Sequence, residues 1–181
     1  MEAFEQVAKL ALEGEGFAVS TGVKFLMRMK TAKKSHTEWQ THGYEVDLVG
    51  ARADSLVLAS VKSFFGSKGV QKSSFQPSSV DRKRYRLLVD TRFRKRIVDH
   101  ACRRFGYQRR QVEVRFYAGM FHSDADEVDI RTLLARSRIN VYGPAEIIKG
   151  VLAVTKAKTY RNDPVVATIR LFQSAMPRGE P

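Results

Sequence analysis

The chain has 181 residues, 43% of them apolar, which suits one domain with a real core. No apolar run approaches the roughly 20 residues of a membrane-spanning helix. Thirty-two Lys and Arg against nineteen Asp and Glu give a net charge of +13 and a pI near 10.1, a field that attracts polyanions and makes nucleic acid the leading partner. The N-terminal string MEAFEQVAKLALEGEGF lacks the basic start and apolar stretch of a signal peptide, so a cytoplasmic, nucleoid-associated location is expected. Cys102 is the single cysteine, and His36, His42, His100 and His122 are scattered, which excludes an internal disulfide and leaves no ligand spacing for zinc.

In chain order, residues 2–13 predict a helix, with Phe4, Val7, Ala8 and Ala11 on one buried face and Gly14 and Gly16 as stop signals. Phe17–Met29 reads as a strand, or as two short pieces around Gly22, and the polar stretch Lys30–Gly43 as a loop. Tyr44–Val49 and Leu56–Ser63 read as strands joined by the GARADS turn; the near-continuous apolar run of the second marks a central strand covered on both faces. Phe64–Ser79 reads as a loop and residues 81–105 as helical, with a break near Asp90–Thr91 and Gly106 as the cap. Val112–Phe121 predicts a strand, Glu127–Ser137 a helix, Ile139–Tyr142 a short strand, Pro144–Lys156 a helix, and Val165–Phe172 one more element. The pattern is α/β: a central mixed sheet flanked by helices, an α-β-β-β-α-β core over 1–121, and an α-β-α extension over 122–181 packed on the same domain.

Polar groups inside two of the apolar strands carry the chemistry. By alternation Glu45 and Asp47 share one face, as do Ser60 and Lys62, and pairing through the short turn brings the four together. Charges in such segments are costly unless paired or bound to something. Mutual pairing is one reading; the other is a site where carboxylates hold a hard cation and a lysine meets phosphate.

The strings Tyr44-Glu45-Val46-Asp47-Leu48-Val49 and Leu56-Val57-Leu58-Ala59-Ser60-Val61-Lys62-Ser63 resemble the central motif of the PD-(D/E)XK nuclease superfamily, nearest to its small Holliday junction resolvase-like branch. The resemblance covers roughly residues 2–121 and implies a restriction-endonuclease-like core that cuts DNA, including branched DNA, with Mg²⁺ or Mn²⁺. It implies Asp47, Glu45, Glu5 and the Val61 carbonyl as metal ligands, Lys62 as the group that orients water or stabilises charge, and Glu5 as the first-helix acid, ahead of Glu2, Glu13 and Glu15. The family's second acid falls on Ser60, a weaker ligand, so a form that binds nucleic acid without cutting stands as the alternative.

Between Arg82 and Arg110 lie twelve basic residues, opposed only by Asp81, Asp90 and Asp99. Arg82, Lys83, Arg84, Arg86, Arg94 and Lys95, with Lys33, Lys34 and Trp39 of the 30–43 loop and Lys68 of the Gly66–Gly69 loop, form the expected DNA surface, which tracks phosphates rather than bases. No Walker pattern occurs, which argues against NTP hydrolysis. Residues from Tyr142 onward are candidates for a homodimer surface or a dock within a larger DNA-processing complex, although Ile147, Ile148, Val151 and Leu152 read first as core. A subunit whose basic face docks an acidic protein is the remaining rival.

Overall fold

The computed structural model describes residues 2–30, 39–63, 66–156 and 161–175. Helix α1 (Ala3–Gly14) precedes three strands, β1 (Ala18–Lys30), β2 (Trp39–Arg52) and β3 (Ser55–Lys62). A short α2 (Arg86–Val89) and a long α3 (Thr91–Phe105) lead to β4 (Val112–Ala118), and then come α4 (Asp124–Ala135), β5 (Ile139–Tyr142), α5 (Pro144–Lys156) and α6 (Pro164–Ala175). The strands form one mixed sheet in the order β1-β2-β3-β4-β5. The β1–β2 and β2–β3 pairs are antiparallel, and the β3–β4 and β4–β5 pairs are parallel. A parallel pair needs a crossover, and α2–α3 and α4 supply the two. The chain is thus α/β, a central mixed sheet flanked by helices.

Two cores explain the sequence pattern. On one face Leu56 and Leu58 meet Leu87, Leu88, Phe93, Ile97 and Ala101 of α2 and α3 and Ile130 and Leu134 of α4. On the other, Val57, Ala59 and Val61 meet Phe4, Ala8 and Leu12 of α1, Ile147 and Val151 of α5 and Val166 of α6. A strand covered on both faces has no solvent side to alternate with, hence the unbroken apolar run of β3.

The outer pair of strands departs from strict alternation. Phe17, beside the start of β1, belongs to the α1-side core, yet Phe25 and Met27, also odd-numbered, belong to the α3-side core. On β2, Val46 joins the α3-side core and Leu48 the α1-side core. Residues two apart on a regular strand share a face, so both strands turn over between these points. The turnover falls at Gly22, whose φ of +60° a side chain resists, and at Asp47, which lies between the Thr21–Leu48 and Val23–Val46 pairs. The β2–β3 ladder begins at the turn, Arg52–Ser55, and stops at Leu48–Ala59. From Asp47 onward β1 and β2 continue as a two-stranded arm.

Several expected boundaries shift. Trp39–Gly43, expected as loop, extends β2, where it pairs with Leu26–Lys30. Strand β4 ends at Ala118; Gly119 N–H then donates to the Lys62 carbonyl at 2.8 Å, and Phe121 bridges to Val70 instead. The 64–79 stretch contains a 3₁₀ turn, Lys72–Phe75, because Val70 and Phe75 bury in the α3-side core. Asp90 caps α3 by accepting from Phe93 N–H, and Gly106 closes it with φ +78°.

Helices α1 and α5 cross closely. A Cβ on Gly150 would lie 3.0 Å from the Ala11 Cβ, and one on Gly14 2.8 Å from the Gly150 carbonyl oxygen. Gly150→Leu is expected to lower stability by about 1–3 kcal/mol through overpacking, despite leucine's better helix propensity. A thermal melt checks this; an unchanged or higher Tm contradicts the close crossing.

Candidate active site

Where β2 leaves β3, a side chain replaces a missing ladder acceptor. Asp47 Oδ2 accepts from the Val61 backbone N–H at 2.6 Å and from the Ser60 hydroxyl at 3.2 Å. Lys62 Nζ lies 3.7 Å from the same oxygen. The Asp47 and Lys62 side chains keep 21% and 24% of their surface, so both are held by the sheet and still reachable. Lys62 faces a cleft of about 430 Å³ at the carboxyl end of β3, lined by Glu2, Glu5, Val61, Lys62, Ser63, Ser67 and Arg84. Crevices at the carboxyl ends of strands are where α/β sheets take ligands.

The cleft wall comes from three places. Glu5 stands in the first turn of α1, where its Oε2 accepts from the Glu2 N–H at 3.2 Å. Glu2, ranked low in the sequence because it lies near a helix end, therefore belongs to the cleft, and the Glu-x-x-Glu spacing of a helix start was the signal for it. Ser67 belongs to the loop between Gly66 and Gly69, both at φ +76°. That loop is fastened beside β4: the Lys68 carbonyl meets His122 Nδ1 at 2.9 Å, and a Cβ on Gly69 would lie 2.6 Å from the Phe121 carbonyl carbon. Arg84 reaches in from the 3₁₀ turn before α2 and pairs with Asp81 at 3.4 Å.

Other expected residues stand elsewhere. Glu45 Oε1 lies 3.4 Å from where a Gly22 Cβ would sit, beside the point at Asp47 where the strand turns over and strict alternation ends. Arg82 donates to the carbonyls of Phe75 at 2.7 Å and Val89 at 3.5 Å. Arg94 donates to the carbonyls of Leu87 and Leu88, the nearer at 2.7 Å, and burial pushes its guanidinium down. Arg94 thus meets carbonyls of α2, and Arg82 ties the Lys72–Phe75 turn to the end of α2. Arg86 lies 4.0 Å over the Phe93 ring and 3.7 Å from Asp90. Lys68, Lys83 and Lys95 are exposed, as is Trp39, which carries Arg28 over its ring at 5.3 Å. Lys33 and Lys34 lie outside the described residues.

Sequence reasoning missed Arg115, 5% exposed in β4. Its Nη1 donates to both carboxylate oxygens of Glu15 at 2.8 Å, Nη2 donates to Glu113 at 2.9 Å, and the guanidinium lies between the rings of Phe17 and Tyr142. Burial alone would push the Arg115 guanidinium down, and the bonds to Glu113, Tyr117 and Glu15 more than reverse it. This cluster pins the end of α1 to the sheet, and thereby the helix that carries Glu5.

Among the described residues no three carboxylates, histidines or thiolates gather into a ready ligand cage. The oxygens that could take part are hard donors: the Asp47 carboxylate 3.7 Å from Lys62, the Ser60 hydroxyl bonded to it, and Glu5 and the Val61 carbonyl of the neighbouring cleft wall. Mg²⁺ takes one or two carboxylates and keeps several waters, so such a set fits Mg²⁺ or Mn²⁺ rather than a softer ion. No family model matches the chain, and no curated protein matches its sequence. No helix among the described residues is long and apolar enough to cross a membrane.

Tyr44 reports on the site's charge. Its hydroxyl is pushed up to about 12, first by burial and then by the Asp47 carboxylate. Because that value lies above the unfolded one of about 10, the stability Tyr44 contributes is complete below about pH 10 and is lost as pH rises toward 12. Asp47→Asn is expected to lower the Tyr44 midpoint, read as tyrosinate absorbance lost in a Tyr44→Phe control. An unmoved midpoint contradicts the coupling.

Proposed function

We propose that this chain is a metal-dependent deoxyribonuclease of the PD-(D/E)XK kind, hydrolysing phosphodiester bonds in the cleft beside Lys62. The observation that carries the reading is the Lys62 ammonium held 3.7 Å from the Asp47 carboxylate where two strands part, at the mouth of a cleft that also holds Glu5 and Arg84. The strongly basic chain supplies the long-range attraction for a polyanion.

Each residue has a task in that chemistry. Lys62, a compact point charge, meets the negative charge that grows on the phosphorane oxygens. Arg84, across the cleft, takes a further phosphate oxygen in its guanidinium fork. Asp47 keeps Lys62 oriented through their ion pair and is itself fixed by the Val61 N–H. Asp47, Glu5, the Ser60 hydroxyl and the Val61 carbonyl are the oxygens that would hold Mg²⁺ or Mn²⁺. A bound divalent ion supplies a water of lowered pKa and a clamp on phosphate oxygens. Exposed Lys68, Lys83 and Lys95 contact backbone phosphate without reading sequence.

One observation favours a second reading, a nucleic-acid-binding module without hydrolysis. Ser60 stands where a second acid would add charge, and its hydroxyl proton is given to Asp47. A cleavage panel decides between the two: linear duplex, single-stranded and branched DNA, each with Mg²⁺ and with Mn²⁺. Wild type is expected to cut at least one form, and Lys62→Ala and Asp47→Ala to cut about 10²–10³-fold more slowly while binding DNA within a few-fold of wild type. Binding without cutting, in wild type and in Ser60→Glu alike, identifies the silent module. Cutting that survives Lys62→Ala contradicts the proposed site.

A further inference from the structure

The two-stranded arm beyond Asp47 is backed on one side by α3. Phe25 fills the space between them, edge-on to His100 at 5.7 Å and to Phe105 at 6.4 Å. Beside this contact, Leu26, Met27 and Arg28 of β1 and Arg96, Asp99, His100 and Arg103 of α3 enclose a crevice of about 270 Å³. Its charge is one-sided. Asp99 is its single acid, and Arg109 neutralises that acid from outside at 2.7 Å. Among the described residues Arg96 and Arg103 join no ion pair, and Arg28 is held over the Trp39 ring. Arg92, Arg96 and Arg103 recur at spacings of four and seven, so α3 presents them as one stripe, of which Arg96 and Arg103 line the crevice. Exposed Leu26 and Trp39 stand on the same arm.

The position of the crevice matters as much as its charge. Arg28 pairs across the arm with Thr41, six residues along β2 from Asp47. At about 3.3 Å per residue that places the Arg28 end of the crevice about 20 Å along the arm from Asp47, which is about six base steps along one strand of a duplex. We propose that the Arg28–Arg96–Arg103 crevice grips the phosphate backbone of a DNA duplex whose cut phosphate lies beside Lys62, which makes the substrate an extended duplex rather than a short oligonucleotide. The inference rests on the reading of the cleft as a phosphodiester site, and it assigns a separate surface to a separate stretch of the same strand.

The test uses fluorescein-labelled duplexes of 24 and 6 base pairs, titrated by anisotropy without divalent metal across a range of salt. Wild type is expected to bind the 24-mer more tightly per site than the 6-mer. Arg28→Ala/Arg96→Ala/Arg103→Ala is expected to lower the slope of log K against log salt by about 2–3, each lost phosphate contact counting about 0.9. The matching triple Arg→Lys variant is expected to keep the slope, which separates lost charge from lost fold. A wild-type slope in the triple Ala variant overturns the crevice, as does a wild type that fails to bind the 24-mer near 0.1 M salt. The two readings fail separately: an unchanged slope leaves Lys62-dependent cleavage standing, and a wild type that never cuts leaves a slope change in the triple variant standing.

Discussion

Val61 lies in the most buried strand of the sheet, and its backbone N–H needs an acceptor after the ladder to β2 has ended at Leu48–Ala59. The Asp47 carboxylate supplies it at 2.6 Å. That one bond fixes a charged side chain at the edge of an apolar core, sets it beside Lys62, and lets β1 and β2 swing clear as an arm. An aspartate freed from this bond would leave an orphan N–H inside the sheet, at a cost of about 1–3 kcal/mol. On the proposed reading the same interaction serves fold and chemistry, and it explains why an acid is tolerated in a strand whose neighbours Val46 and Leu48 are both buried.

The rest of the scaffold fixes the other wall of the cleft. Helix α1 brings Glu2 and Glu5 to the carboxyl end of β3, and its placement is doubly constrained. The Arg115–Glu15 pair ties its far end to β4, and the close crossing at Gly14 and Gly150 seats it on α5. A buried arginine among two carboxylates and two aromatic rings is more than packing requires, since an apolar group of similar volume is often as stable there. The charged cluster joins β4 to the end of α1, the helix whose first turn brings Glu5 to the cleft beside Lys62.

Much of this was legible because it follows from short-range rules. The apolar run of β3 marks a strand covered on both faces; Asp90 and Gly106 bracket α3; the spacing of Asp47 and Lys62 around a tight turn brings the two together. What was not legible depends on tertiary geometry. Strict alternation puts Glu45 and Asp47 on one face, but Val46 and Leu48 bury in opposite cores, and the turnover this requires has no mark in the sequence beyond Gly22, whose φ is positive. Composition placed Arg82 and Arg94 in the DNA surface without showing that both guanidiniums also donate to backbone carbonyls, Arg82 to Phe75 and Arg94 to Leu88. Arg115 hid within a strand because its partners Glu15 and Tyr142 are distant in sequence.

On the proposed reading, a divalent ion and a phosphate come together at the strand-fork carboxylate next to Lys62. Amide NMR during a Mn²⁺ titration tests it without any need to know the substrate. The account predicts paramagnetic broadening centred on Val61 and Lys62 in the wild type and its loss in Asp47→Asn. Equal broadening in both proteins, or broadening confined to other carboxylates, would contradict it.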